Sequence, residues 1–426
     1  MIRSRPLLAI GDRGPTRGTP QIPLSALLLV LICFALVSRG EAARAAAKAT
    51  PRSSNAGFTI LYQFQGAPDG YVPGGRLTPD AYGDFFGATL SGGIVGSGEF
   101  DSGYGTLFEL TPSGSGYVET VIHDFDGTDG AFPSTPLEDA YGNLFAIAVL
   151  GGFNSGGTAV KLTPSASGYS ETALLSFSPL SYPNSLLFDN GGLYGSTTGG
   201  GSPGGGSIFS LSTDTLSETV LHSFPLARKR YSDALGLDGV DPSNGALLGG
   251  LAFGGGKRLG TIFDFSPSSG TLKELYVFKD QSEAHPGALF KDATGNIYGI
   301  IPASSNFGQV FRLTPMGKKY ELSVLHTFMG SPDGEGPSSL TLIDGVLYGT
   351  TGMGGTHSCY QQFTCGTIFR MNTDGTDYAI VHDFSGTDGF GPEGLVAKGR
   401  LLYGAAGHGG LTACAQGCGL VFSIHI

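Results

Sequence analysis

Four copies of a short turn carry the carboxylates best suited to chemistry. Each copy reads Phe-x-Gly-x-x-Asp-Gly or a form one residue shorter, and the aspartates are Asp69, Asp129, Asp333 and Asp388. Hard cations bind several carboxylate oxygens, so a calcium site shared by these aspartates is one interpretation. Glycine and aspartate are also typical of tight turns, in which the aspartate accepts hydrogen bonds from nearby amides. The twelve-residue calcium loop is absent from the sequence, which favours the turn, and we assign no metal ligands.

Aromatic and imidazole side chains also recur at a fixed position in the sequence. A ring stands two positions before a strand-ending phenylalanine at His123, His222, His326, His382, Tyr62 and Tyr276. Side chains two residues apart on a strand share one side, so these rings are predicted to pack against a neighbouring layer. A catalytic histidine does not need four copies, and we therefore interpret the set as structural.

Four cysteines occur in two consecutive glycine-rich segments. They are Cys359 and Cys365, then Cys414 and Cys418. Four cysteines permit three pairings, and we predict the two local ones, because exported proteins reach oxidising compartments. A zinc site that uses the nearby His357 and His408 is the alternative.

The least repetitive basic residues fall in two segments of one repeat, 225–234 and 252–260. These residues are Arg228, Lys229, Arg230, Lys257 and Arg258. We predict that both segments emerge on one face and form a positive sector on an acidic surface. The hypothesis is that this sector binds an anionic group such as a uronate, a phosphate or an acidic partner loop. A solvated loop that aids solubility is the alternative.

The elements that would position these residues follow a sevenfold repeat. Segments similar to Gly-Thr-x-Phe begin at Gly105, Gly157, Gly206, Gly260, Gly308, Gly366 and Gly419. Apolar stretches end at Phe64, Phe125, Phe177, Phe224, Phe278, Phe328 and Phe384. A third series reads Leu-Tyr-Gly or a looser form of it, as at 347–349. The period of about 53 residues is typical of propellers and solenoids.

Each repeat consists of short strands. Residues 338–384 contain four apolar stretches separated by Gly, Pro, Asp or Asn, and no window after residue 50 has a helical period. Four strands in each of seven repeats predict an all-β fold, a seven-bladed β-propeller. The Leu-Thr-Pro segments at 110–112, 162–164 and 313–315 are expected to end their strands, because proline cannot donate to a central ladder.

The two ends of the repeat region complement each other. Residues 57–64 resemble a fourth strand without its three predecessors, and the chain reaches Ile426 just after a third strand. We predict that this N-terminal strand completes the last blade, which would leave no exposed sheet edge. The expected domain is a single propeller over residues 57–426.

The first 47 residues have the layout of an export signal. Four arginines precede residue 21, an apolar run covers 24–37, and small residues follow at 42–47. This order is typical of a secretory signal peptide, and the run is shorter than the about 20 residues of a membrane-spanning helix. We predict a signal peptide over 1–47, with an uncleaved anchor as the alternative, and a linker over 48–56. The expected location is secreted, periplasmic or cell-surface, with no membrane span in the mature chain.

Composition limits the partners and the chemistry. The chain has 426 residues, of which 72 are glycine and none is tryptophan, and its net charge is −11. This acidic balance argues against nucleic acid as a general partner. The sequence contains no phosphate loop, no Gly-x-Ser-x-Gly elbow and no His-Glu-x-x-His motif. We expect a monomer without a cofactor.

The repeats resemble those of the GloVer tandem-repeat family of exported bacterial proteins. The resemblance is carried by VLYGTTGMGG at 346–355 and GTIFRMNTDG at 366–375, and it extends over residues 57–426. It implies an extracellular or cell-surface setting. It implies no activity and no catalytic residues.

Two classes of function stay open. A binding or scaffold protein that recognises an extracellular glycan or a protein partner through one face is favoured, because the sequence contains no unique catalytic constellation. The alternative is an extracellular carbohydrate-active enzyme, a lyase or hydrolase, with a site at the central channel. The polar departures from the repeat that could serve such a site are Glu283, His285, Glu335, Glu393 and His408.

Overall fold

A computed structural model describes most of the repeat region. The described ranges are 57–67, 69–93, 103–114, 116–166, 168–200, 204–225, 235–252, 259–279, 286–302, 307–359, 363–411 and 414–426. The predicted signal peptide and linker lie outside these ranges. Every regular element within them is a β-strand, and none of the described segments forms a helix that could cross a membrane.

Twenty-nine strands are present in the described residues. In chain order they are β1 (Phe58–Gln63), β2 (Tyr71–Pro79), β3 (Phe85–Ser91), β4 (Thr106–Ser113), β5 (Gly116–Asp124), β6 (Ala131–Pro133), β7 (Leu137–Glu138), β8 (Leu144–Leu150), β9 (Thr158–Ser165), β10 (Gly168–Ser176), β11 (Pro183–Asp189), β12 (Gly192–Thr197), β13 (Ser207–Leu211), β14 (Glu218–Ser223), β15 (Leu235–Val240), β16 (Leu247–Leu251), β17 (Thr261–Ser266), β18 (Thr271–Val277), β19 (Gly287–Lys291), β20 (Ile297–Ile301), β21 (Gln309–Met316), β22 (Lys319–Thr327), β23 (Glu335–Ile343), β24 (Val346–Met353), β25 (Thr367–Asn372), β26 (Ala379–Asp383), β27 (Phe390–Lys398), β28 (Leu401–His408) and β29 (Leu420–His425).

These strands form seven antiparallel sheets, and the molecule is an all-β, seven-bladed propeller, as the sequence predicts. Blades 1 to 6 are β2–β5, β6–β10, β11–β14, β15–β18, β19–β22 and β23–β26. The first strand of blade 2 is split into β6 and β7, which both pair with β8. The first strands contact one another at six of the seven blade boundaries and line the centre of the ring, and at the boundary of blades 1 and 2 the Thr135 hydroxyl, between β6 and β7, donates to the Gly74 carbonyl oxygen of β2.

Blade 7 joins the two ends of the repeat region. Its strand order is β27, β28, β29 and β1, so the first strand of the chain is the outer strand of the last blade. Phe58 pairs with Ile424 and Gln63 pairs with Leu420. The predicted closure is therefore confirmed.

The core is divided into layers between neighbouring blades. Each of the seven layers in the described region contains one of the strand-ending phenylalanines, which are at most 4% exposed. In six layers this ring packs against the phenylalanine of the Gly-x-x-Phe strand in the next blade. The ring centroids of Phe328 and Phe369, for example, are 5.3 Å apart. Phenylalanine pairs thus join the blades of a protein that has no tryptophan.

The expectation for the Leu-Thr-Pro segments was wrong. β4 continues through Pro112 and ends at Ser113, and β9 and β21 likewise extend past their prolines. The last pair between β3 and β4 is Phe85 with Leu110, whereas Pro112 pairs with Tyr117 of β5. Beyond Leu110 the strand has a partner on one side only, so the missing proline N–H removes no bond from a two-sided ladder.

Candidate functional site

The connections between blades and the loops between second and third strands emerge at one face, which we call the loop face. Antiparallel strands alternate in direction, so both kinds of connection leave a blade at the same end. Backbone hydrogen bonds join them across blade boundaries. The Val72 amide donates to the Cys418 carbonyl oxygen at 3.1 Å, and the Gly391 amide donates to that of Cys365 at 3.0 Å. Neighbouring blades therefore build the loop face together.

Four connections at this face contain a contact between an aspartate and a ring, which we call a clamp. The clamps pair Tyr62 with Asp69 at 2.9 Å, His123 with Asp129 at 3.0 Å, His326 with Asp333 at 3.1 Å, and His382 with Asp388 at 3.1 Å. Each aspartate also accepts a backbone amide of its own turn. The four aspartates thus act within separate turns, which fits the turn interpretation and not a shared calcium site.

The side chain that faces each clamp comes from the next blade around the ring. The position that supplies it lies six residues before the strand-ending phenylalanine of that blade. It is occupied by Tyr378 over His326, by Phe58 over His382, by Glu119 beside Tyr62 and by Glu171 beside His123. The two aromatic residues stack on their histidines, with ring centroids 3.8 and 3.9 Å apart. The two glutamates instead add a second carboxylate to their clamp.

The clamp of Tyr62 opens into an acidic cleft of about 530 Å³ between blades 7 and 1. Its polar lining residues are Tyr62, Gln65, Asp69, Glu119 and Asp124. Burial, together with the negative charges of Asp69 and Asp124, raises the pKa of Glu119 to about 8. Burial and the contact with Asp69 raise the pKa of Tyr62. The carboxyl group of Glu119 is therefore largely protonated at neutral pH, and it can donate a proton.

The basic residues predicted to bind an anion are not among the described residues. Arg228, Lys229, Arg230, Lys257 and Arg258 all fall outside them, as do Glu283 and His285. Their predicted role stays a prediction.

The three described polar departures have different surroundings. The Gly75 amide of blade 1 donates to Glu393 Oε2 of blade 7 at 2.6 Å, so this carboxylate joins two blades. Burial raises the pKa of Glu393 and of Glu335. The ring of His408 stacks on Phe390 with centroids 4.8 Å apart, and burial lowers the pKa of His408.

Other inner-strand groups also join blades, since Ser338 Oγ donates to the Pro392 carbonyl oxygen at 3.0 Å.

The cysteines form the two local disulfides that the sequence predicts, Cys359–Cys365 and Cys414–Cys418. They close the loops between second and third strands of blades 6 and 7, at the loop face. Cys365 and Cys418 are fully buried. The sulfur atoms are therefore bonded to each other, which leaves no thiolate for the alternative zinc site.

The clamps were not predicted as units. The sequence indicated the aspartates and the rings separately, although both occur together at the same four connections. The shared occurrence of an aspartate and a ring at each connection is the sequence signal from which the clamps could have been predicted. The positions of Glu119 and Glu171 beside the clamps were also not predicted, because each glutamate belongs to the repeat that follows the one with the clamp ring.

Comparisons with known proteins agree with the fold. The profile of a family described as the Gloeobacter/Verrucomicrobia repeat matches residues 181–422. No curated protein matches the chain.

Solved structures are similar only in fold. The extracellular domain of a proposed one-component system from Bacteroides thetaiotaomicron aligns with a TM-score of 0.53 and 14% identity, covering 88% of this chain. The chain spans 42% of the length of that protein. A proposed 6-phosphogluconolactonase from Bacteroides fragilis aligns with a TM-score of 0.47 and 15% identity, covering 75% of this chain and 87% of that one. Neither likeness carries an argument about activity.

Proposed function

The chain belongs to the Gloeobacter/Verrucomicrobia repeat family, and we propose that it is an exported binding protein whose loop face recognises an anionic extracellular glycan. The ligand class that fits best is a polymer of uronate sugars. Such a ligand offers apolar ring faces and carboxylates together, and the proposal assigns a different set of residues to each.

The observation that carries the proposal is the set of large apolar side chains exposed on the loop face. They are Phe153, Leu180, Phe307, Met329, Phe363 and Leu411. Phe153 is 93% exposed at the loop between the second and third strands of blade 2. Exposed apolar side chains grouped on one side of a soluble protein mark interaction surfaces, and aromatic rings contribute large contact areas there.

Charge supports an anionic ligand. The segments that contain Arg228 and Lys257 follow the fourth strand of blade 3 and the second strand of blade 4, whose ends point to the loop face. If Arg228, Lys229, Arg230, Lys257 and Arg258 lie on this face as the sequence predicts, they would pair with uronate carboxylates, while the net charge of −11 would repel such a polymer from the rest of the surface.

Export is supported by the disulfides and by the sequence before the propeller. Two disulfides persist in an oxidising compartment and not in a reducing cytosol. The basic, apolar and small segments of residues 1–47 have the order of a signal peptide.

A hydrolase is the second candidate, because Glu119 retains a proton as a general acid must. The cleft around it favours binding over hydrolysis. Asp69, the carboxylate beside Glu119, already accepts the Tyr62 hydroxyl at 2.9 Å and the Gln65 amide at 2.7 Å, so it is held within its own turn. At the central channel, Glu393 is engaged by the Gly75 amide.

The proposal is tested by calorimetry with polygalacturonate as the anionic polymer and dextran as the neutral one. We expect the purified chain to bind polygalacturonate, and we expect the charge-reversal pair Arg228→Glu and Arg230→Glu to weaken binding by about tenfold or more. The pair Phe153→Ser and Phe307→Ser should weaken it similarly. The matched control is Val118→Ser with Val324→Ser, since these exposed valines lie on outer strands away from the loop face.

The outcomes separate the candidates. Lack of polygalacturonate binding, or binding that neither loop-face pair weakens, would contradict the glycan proposal. New reducing ends or unsaturated products released from the polymer would show an enzyme instead.

A further inference from the structure

The clamp of His123 differs from the other two histidine clamps in what lies above the ring. His326 and His382 are covered by the stacked rings of Tyr378 and Phe58. Blade 2 instead places Glu171 of β10 at the equivalent position, beside the imidazole. His123 therefore faces two carboxylates, one from the turn between blades 1 and 2 and one from the outer strand of blade 2.

Both carboxylates converge on a single nitrogen atom. His123 Nε2 lies 3.0 Å from Asp129 Oδ2 and 3.9 Å from Glu171 Oε2. One ligand atom of each residue lies within 4.8 Å of the other two. Zinc with ligands at 2.0–2.1 Å needs about 3.3 Å between ligand atoms of a tetrahedron, and the two distances to Nε2 bracket that value.

Contacts with neighbouring residues hold the side chains of His123 and Asp129 in place. The Asp126 amide donates to Asp129 Oδ1 at 2.9 Å, which leaves Oδ2 directed at the histidine. Thr158 Oγ1 donates to the Asp129 carbonyl oxygen at 2.6 Å and fixes the turn itself. The Phe125 ring lies edge-on to His123 with centroids 4.6 Å apart. Such supporting contacts orient the ligands of metal sites in proteins.

We propose that His123, Asp129 and Glu171 form a binding site for a divalent transition-metal ion, with Zn²⁺ as the ion that the donor set fits best. One imidazole nitrogen and two carboxylate oxygens are ligands that zinc accepts, with water in the fourth position, whereas calcium prefers six or more oxygens. The three side chains are 13%, 16% and 34% exposed, so solvent reaches the site and an ion can enter.

The site would connect two blades. His123 belongs to the outer strand of blade 1, and Glu171 belongs to the outer strand of blade 2. A bound ion would therefore bridge neighbouring outer strands at the rim, where the other two histidine clamps have stacked rings. This proposal is independent of glycan recognition at the loop face.

The test is the binding of Zn²⁺ alone to the full chain, measured by calorimetry after chelator treatment and alkylation of free thiols. We expect one ion per chain and a Tm that rises with Zn²⁺. Glu171→Gln should weaken zinc binding by about tenfold or more, and His123→Gln should abolish it. Co²⁺ added to the protein should give visible absorption bands that both variants lose.

The matched control is Glu218→Gln. Glu218 occupies the same repeat position as Glu171, but the preceding repeat has Leu175 in place of the clamp histidine. This variant should bind Zn²⁺ like the unaltered chain. Equal affinity in the unaltered, Glu171→Gln and His123→Gln chains, or no zinc binding at all, would overturn the site and leave an imidazole–carboxylate contact. If His123→Gln fails to fold, the comparison of Glu171→Gln with Glu218→Gln decides the question alone.

Discussion

Glu119 lies in the acidic cleft between blades 7 and 1, where several groups disfavour its charge. Burial has the largest effect, and the nearby Asp69 and Asp124 add negative charge. Tyr62, the other titratable group that lines the cleft, adds no positive charge. The pKa of Glu119 is consequently raised from 4.5 to about 8, and the neutral carboxyl group is the form that the folded protein favours.

Stability should therefore fall as the pH rises through the range between these two pKa values. Below about pH 4.5 the Glu119 carboxyl group is protonated in both the folded and the unfolded chain, so its ionisation takes nothing from the free energy of unfolding. Above that pH the unfolded chain releases the proton while the folded chain keeps it up to about pH 8, so folding becomes less favourable. Urea unfolding between about pH 5 and pH 9 measures this decline, and Glu119→Gln should reduce it.

Glu274→Gln is the control for this experiment, because Glu274 is exposed on the outer strand β18. Its pH profile should match that of the unaltered chain. An unchanged profile in Glu119→Gln as well would mean that the folded protein ionises Glu119 at ordinary pH.

The clamps show what a single sequence can predict for individual residues. Asp129 was interpretable as a turn residue because the hydrogen bond it accepts from the Asp126 amide is local. Its contact with His123 spans six residues across the end of a strand, and the contact with Glu171 crosses a blade boundary. Those contacts depend on the bend of the outer strand and on the packing between blades. The residue types of the turn specify neither.

At the scale of the strand, glycine and phenylalanine positions are coupled within a blade. In six blades a glycine of the second strand pairs with the phenylalanine of the third, and the glycines are Gly87, Gly195, Gly249, Gly299, Gly349 and Gly404. A Cβ atom on Gly349 would lie 2.4 Å from the ring of Phe369. Blade 2 has Ala146 opposite Val160. The position tolerates a methyl group where the opposite residue is smaller.

This coupling explains two of the three repeat series. The Leu-Tyr-Gly and Gly-Thr-x-Phe series identified the second and third strands and gave the correct number of blades. They did not show that the glycine and the phenylalanine face each other, because strand register depends on the intervening loop.

A double-mutant cycle at Gly349 and Phe369 tests the coupling. Gly349→Ala should cost about 1–3 kcal/mol, because the methyl group overlaps the Phe369 ring and also the Ser339 carbonyl oxygen. Phe369→Val should also destabilise, since it leaves a cavity between blades 5 and 6. The double variant, which reproduces Ala146 with Val160, should be more stable than the sum of the two losses by about 1 kcal/mol or more. Urea unfolding gives all three free energies.

Gly287→Ala is the matched control, because a Cβ atom on Gly287 would have no atom within 4 Å. It should change the free energy of unfolding by less than about 0.5 kcal/mol. Strictly additive losses at Gly349 and Phe369 would show that overlap with the Phe369 ring is not what fixes glycine at this position, and would leave the Ser339 carbonyl oxygen as the cause.

At the scale of the molecule, one strand links the first and last repeats. β1 pairs with β29 of blade 7, and Phe58 also stacks on His382 of blade 6 with ring centroids 3.9 Å apart. The sequence predicted the pairing, because residues 57–64 are an isolated fourth strand. The stacking on His382 was not predictable, since it depends on the angle between two blades. The first strand thus contributes to the core of two blades.

Removal of β1 should therefore disrupt the whole ring. A chain that begins at Gln65 lacks Phe58 and Phe64, which pack in two separate core layers. The truncation also leaves β29 as an edge strand, although Leu420, Val421, Phe422 and Ile424 of β29 are fully buried when β1 is present. An exposed apolar edge promotes association between chains. We expect this shortened chain to aggregate and to lose its cooperative thermal transition.

A chain that begins at Gly57 is the control, since it retains β1 and should melt like the 426-residue chain. A synthetic peptide of residues 57–64 should partly restore the cooperative transition of the chain that begins at Gln65, because its backbone can pair with β29 as β1 does. A scrambled peptide of the same composition should not restore it. If the two chains instead melt cooperatively at similar temperatures, the first strand is dispensable, and six complete blades with a three-stranded seventh are enough to hold the ring together.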